Sequence, residues 1–166
     1  EGGAGLAEAR EAAAAACVAG GEPGVGPEGA SRPLSCALRA LLANATELDW
    51  ARGGAGFEAP VSAANELVYV SALRETLEAL LAGFPTSDEA DEELLGGELG
   101  VGERAAVRAR LREKLLLLNA LNAASHHRRV KMPGRAYPLG GSVPRPATMS
   151  PPEGFKASKA SYKGEL

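Results

Sequence analysis

The chain has 166 residues with 18 Lys+Arg, 21 Asp+Glu and a formal net charge of −3, a small sum that hides two unlike parts. Residues 1–125 carry ten Lys+Arg against nineteen Asp+Glu, a net of −9, whereas residues 126–166 carry eight against two, a net of +6. Apolar residues reach 45% but aromatics only 4%, so a core must be built from Leu, Val and Ala, which favours helices over sheets. No apolar run reaches the roughly 18–20 residues of a membrane span. Cys17 and Cys36 stand apart with no CxxC pair, which argues against both a zinc framework and a disulfide scaffold and predicts two buried free thiols.

Residues 5–19 (GLAEAREAAAAACVA) read as a helix, because alanine is the best helix former and Glu8, Arg10 and Glu11 supply polar positions. Residues 20–32 have no apolar period and read as a loop. Ser31 is a suitable N-cap, with Pro33 in the first turn, and Leu34, Ala37, Leu38, Leu41 and Leu42 then share a face. This helix runs on, or restarts, through Glu47–Ala51. Ser62 caps a third helix, whose stripe is Leu67, Val70, Leu73, Leu77, Leu80 and Leu81, and Gly83 and Pro85 end it. Thr86, with Glu89 three residues on, is a capping-box pattern opening a short acidic helix. The last helix runs from about Val101 to Ala124, with a predicted seam of Val107, Leu111, Leu115, Leu118 and Leu121. At Ser125 the periodicity stops. The chain is thus expected to be all-α, a bundle of about five helices over 1–125, followed by an extended, mostly irregular, Pro/Gly-rich basic tail over 126–166 that orders on a partner.

Asn65-Glu66-Leu67 opening a long helix, the turn Gly83-Phe84-Pro85-Thr86-Ser87, the run Asp88-Glu89-Ala90-Asp91-Glu92-Glu93-Leu94-Leu95 and the stretch from Glu103 to Leu116 (ERAAVRARLREKLL) occur in an order that resembles the C-terminal substrate-binding domain of the Rubisco large-subunit methyltransferase family. The resemblance covers roughly residues 5–124. It implies an all-helical domain that holds a protein substrate while a SET domain methylates a lysine with S-adenosylmethionine. This chain has no Asn-His motif, no paired active-site tyrosines and no Gly-rich cofactor loop, so the resemblance implies a binding module with catalysis elsewhere. The chain opens on Glu1 without Met and is read as processed or as a piece of a longer protein.

Several groups invite chemistry and are weighed against plainer roles. His126-His127 has no Cys, Asp or Glu at ligand spacing and reads as a solvated helix end. Asp88, Glu89, Asp91, Glu92 and Glu93 match no calcium loop and read as a capped, solvated face. Asn44-Ala45-Thr46 fits a glycosylation sequon at a helix end and is taken as chance. Arg104, Arg108 and Arg112 repeat every four residues, either pairing with the acidic stretch before them or forming a patch for an acidic partner. No catalytic, cofactor or metal residue is expected. The candidate partner-binding residues are Arg104, Arg108 and Arg112 on the helix and Arg128, Arg129, Lys131, Arg135, Tyr137, Arg145, Phe155 and Tyr162 in the tail.

The function expected is a non-catalytic protein–protein binding or structural subunit of a larger organellar assembly. One alternative is a fragment of a SET-domain protein lysine methyltransferase. Another is an RNA-binding subunit of a ribosome or transcription complex, because a basic tail with interleaved aromatics can neutralise phosphates and stack on bases. The Ala/Gly-rich composition and the Rubisco connection point to an algal chloroplast, with the mitochondrion as alternative.

Overall fold

In a computed structural model of the chain, which describes residues 2–26, 28–52 and 56–143, helix α1 covers Gly2–Val18. Alanine makes this helix but buries little area per residue. Ala14 alone among its described side chains is fully buried, and Leu6, Ala9, Ala13 and Cys17 are partly so. Two specific links add to that packing. Arg10 Nε donates to the Ala43 carbonyl at 2.6 Å, and Cys17 is disulfide-bonded to Cys36 of the following helix, with 5.6 Å between their Cα atoms. The two cysteines are therefore not free thiols, and a disulfide, which their spacing argues against, does link these helices. They stand 19 positions apart in sequence, and only the packing of two helices side by side brings them together.

The segment expected to be plain loop holds a minimal hairpin, β1 (Val25–Gly26) against β2 (Gly29–Ala30), antiparallel with Val25 opposite Ala30. Strands of two residues are too short for alternation to betray them. Gly29 has φ of 107°, and a Cβ there would stand 3.4 Å from Ala123 Cβ, so glycine both forms the turn and lets it press on the last helix.

Helix α2 (Arg32–Leu41) starts as expected, the Ser31 hydroxyl accepting from the Leu34 N–H at 3.4 Å. The chain then restarts as α3 (Ala45–Trp50), one of the two expected continuations, and the described residues form six α-helices, in line with the expected bundle of about five. Asn44, read as part of a sequon, is the N-cap of α3. It accepts from Glu47 N at 3.0 Å while Glu47 Oε2 accepts from Asn44 N at 2.9 Å, a full capping box. Helix α4 (Ala63–Ala82) is capped by Ser62, which accepts from Asn65 N at 3.0 Å. Its buried seam is narrower than the leucine stripe. Val70, Leu73 and Leu77 are inside, and Leu80 is 52% exposed.

Helix α5 (Asp88–Gly96) is capped by Ser87 rather than Thr86, with Ala90 N donating to the Ser87 hydroxyl at 3.2 Å. Thr86 instead donates to the Asp91 carboxylate at 2.8 Å. Helix α6 (Val101–His126) buries Val107, Lys114, Ala120 and Ala124 and leaves Leu115 58% exposed. The predicted leucine seam is thus rotated. Helix α5 covers the first half of α6 through Lys114, while α4 and the hairpin cover the second half, and no single stripe serves both.

Helical structure does not stop at Ser125. It runs to His126 and continues as a π-helical turn over His127–Lys131. Met132 is completely buried, Tyr137 nearly so, Leu139 N donates to the Val61 carbonyl at 3.1 Å, and Pro133 pairs with Val143. At Gly141 (φ 82°) a Cβ would approach Ala63 Cβ to 2.9 Å, so this return path needs glycine. Residues 127–143, assigned from sequence to the tail, therefore lie against α4 and α6, because one Met and one Tyr bring enough apolar area to dock a segment with no periodicity. Two cores result. One lies among α1, α2, α3 and Phe57–Val61, and the other among α4, α6, the hairpin and Met132. No described helix is long and apolar enough to cross a membrane.

Candidate functional site

The basic side chains fall into two sets, those bound up inside the fold and those left at its surface. Arg39 belongs to the first. It donates to the Glu66 carboxylate twice, at 2.7 and 2.9 Å, and its guanidinium carbon lies 4.7 Å from the Tyr69 ring centre. His127 Nε2 lies 2.7 Å from Glu66 Oε1, so one completely buried carboxylate links α2, α4 and the end of α6. Burial alone would raise the Glu66 carboxyl, but the His127 and Arg39 hydrogen bonds and the Arg39 charge outweigh it and hold it below the usual range. Beside it, Asn65 donates to the Arg39 carbonyl at 3.0 Å and to Glu47 at 3.4 Å, and the Ser62 hydroxyl donates to Glu47. Glu47 thereby joins the capping residues of α3 and α4.

A second buried carboxylate, Asp91, organises the α5–α6 contact. Arg110 pairs with it through Nη2 and through Nε at 2.9 Å, and Lys114 Nζ reaches it at 2.8 Å and the Thr86 carbonyl at 2.6 Å. The Arg110 hydrogen bond above all, opposed by burial and helped by Lys114 and Thr86, holds Asp91 well below the ordinary carboxylate range. Arg104 is also partly engaged, donating to the Leu95 and Gly97 carbonyls at 2.9 and 3.1 Å, where they close the C-terminal end of α5.

Arg108 and Arg112 differ. Both are exposed, and neither forms an ion pair among the described residues. Further along the same side of α6 come exposed Leu115, then Asn119, Asn122 and His126. The last three line a cleft of about 500 Å³, floored by Arg39, Tyr69 and Leu73 and rimmed by Lys131 and Glu28. Among the described residues no group of three or more His, Cys, Asp or Glu is placed to hold a metal ion.

The residues singled out from sequence are distributed as follows. Arg104 sits at the end of α5, Arg108 and Arg112 on the open face, and Arg128, Arg129 and Lys131 exposed on the π-helical turn. Arg135 is exposed above the Tyr137 ring, 5.8 Å from its centre. Tyr137 is not a surface aromatic ready to stack on a partner, because its side chain is buried, and burial and the Glu66 charge push its hydroxyl pKa up. Arg145, Phe155 and Tyr162 lie outside the described residues. Sequence reasoning missed Arg39, Glu66, Arg110 and Lys114 as organising residues. Their signal was faint, since Arg110 and Lys114 stand one helical turn apart on a different side of α6 from the Arg104–Arg112 repeat.

No curated protein and no solved structure matches the chain significantly. The family model described as Rubisco LSMT substrate-binding matches residues 4–117, from α1 into the middle of α6. That match spans well over half of the chain, and its helices are those just described, so the chain belongs to the Rubisco LSMT substrate-binding family.

Proposed function

We propose that the chain is a non-catalytic protein-binding module, acting as a structural or substrate-holding subunit of a larger plastid assembly. A domain of this family serves to bind a substrate, and the family's chloroplast association favours that compartment. The observation that carries the reading is the division of the cations. Arg39, Arg110 and Lys114 are committed to buried carboxylates, whereas Arg108, Arg112, Arg128, Arg129 and Lys131 stand exposed. Exposed arginine is a residue type enriched at protein interfaces. A second reading, that the chain is the substrate-holding part of a SET-domain lysine methyltransferase, is favoured by the family itself.

Two measurements test the proposal. The full chain, incubated with labelled S-adenosylmethionine and a lysine-bearing protein, should transfer no methyl group, and transfer would overturn the non-catalytic role. Added in trans to a SET domain of the family that lacks its own substrate-binding domain, the chain should lower KM for the protein substrate without raising kcat. An unchanged KM would count against a holding role.

A further inference from the structure

We infer that the open side of α6, from Arg108 to the cleft at His126, is a docking groove for an extended acidic peptide segment that carries an apolar side chain. The inference rests on the protein-binding reading and names the surface and the ligand chemistry. Arg108, Arg112, Leu115, Asn119, Asn122 and His126 follow one another at three- and four-residue steps, so they share one side of the helix. No Asp or Glu stands on that side, and the two carboxylates of α6, Glu103 and Glu113, fall on others. Two guanidiniums therefore lie one turn apart without a partner on their own helix or, among the described residues, from any other element. Planar guanidiniums match carboxylates bidentately, and such pairs give a partner both steering and register.

The chemistry favours a peptide over a nucleic acid. Leu115 is 58% and Leu116 40% exposed directly beside the arginines, and an apolar side chain is needed to cover them. Among the described residues the one aromatic that lines the cleft, Tyr69 on its floor, is buried and lies 4.7 Å from the Arg39 guanidinium, and Tyr137 is buried as well, so neither ring is free to stack on a base. Beyond Leu115 the cleft of about 500 Å³ offers the Asn119 and Asn122 amides and the Lys131 ammonium at its walls, suited to a side-chain or terminal carboxylate. Glu28 on the far rim sets the opposite preference there and excludes a uniformly acidic chain from the hairpin side. From Arg108 to His126 the helix rises about 27 Å, the length of roughly eight extended residues.

The test uses the full chain and three fluorescein-labelled probes in anisotropy titrations at low and moderate salt. They are an octapeptide of four Glu, two Leu and two Gly, the same peptide with Gln for Glu, and an eight-nucleotide RNA. The acidic peptide should bind, the glutamine peptide about tenfold more weakly, and the RNA more weakly than the acidic peptide. R108E/R112E, and R108A/R112A as a milder pair, should each weaken the acidic peptide about tenfold or more with unchanged circular dichroism. Leu115→Ser should weaken it roughly fivefold. Absent binding of the acidic peptide, equal binding of the glutamine peptide, or unchanged affinity in both arginine pairs would overturn the inference. Tighter RNA binding would overturn it in favour of nucleic acid. If the arginine pairs keep their peptide affinity yet still lower KM in trans, the groove is wrong and the module reading stands.

Discussion

Glu66 shows how a residue can be read and its role still missed. It belongs to the Asn65-Glu66-Leu67 opening of α4, where a carboxylate in the first turn suits the helix dipole. Its burial and its partners come from elsewhere in the chain, Arg39 27 residues before and His127 61 residues after, and no local pattern carries such distances. Glu66→Gln should therefore cost about 3–5 kcal/mol in chemical denaturation, because it leaves the Arg39 charge buried without its counter-ion. The pH dependence has a definite sign. Glu66 and Asp91 are both held below their ordinary values, so the unfolded chain binds their protons more readily, and the stability they give is complete above about pH 5 and lost as pH falls. Urea midpoints at pH 7, 5 and 3 should fall in that order, mostly below pH 5. The disulfide is equally nonlocal. Replacing Cys17 and Cys36 by serine should cost about 3 kcal/mol by the loop-closure argument, read as a lower urea midpoint that reductant reproduces in the parent chain.

Elements were legible where their signals are local. Ser31 and Ser62 cap their helices through hydrogen bonds that reach three residues, within the span of a sequence pattern. The turn before α5 was ambiguous because Thr86 and Ser87 are both competent caps, and the choice fell to Asp91, which takes the Thr86 hydroxyl for itself. The seam of α6 departs from the leucine spacing because that spacing cannot tell which neighbour covers which half, and a buried lysine interrupts it. The end of the body was hidden for a related reason. Residues 127–143 dock through isolated contacts, Met132 and Tyr137 and a few backbone hydrogen bonds, rather than through a repeating face. Truncation separates the two boundaries. A chain ending at Ser125 should be several kcal/mol less stable than one ending at Val143, because it lacks the docked Met132 and Tyr137. Met132→Ala alone should cost about 2–5 kcal/mol, measured by urea unfolding.

At the scale of the molecule, the division of charge along the sequence has become a division in space. The acidic stretch of α5 is not merely a solvated face, since Asp91 is completely buried and draws Arg110 and Lys114 into the structure. Arg108 and Arg112, interleaved with them in sequence, are left outside. The four-residue spacing treats Arg104, Arg108 and Arg112 alike, whether for internal pairing or for a partner patch. Their partners separate them, Arg104 being held by the carbonyls closing α5 while the other two are left to the open side. The most direct measurement of this division takes two double variants, R108E/R112E and R110A/K114A, and records for each the thermal midpoint and the affinity for the acidic octapeptide. The expected result is crossed, the first pair keeping its midpoint and losing about tenfold in affinity, the second losing its midpoint. A first pair that melts as low as the second, with peptide affinity intact, would contradict it.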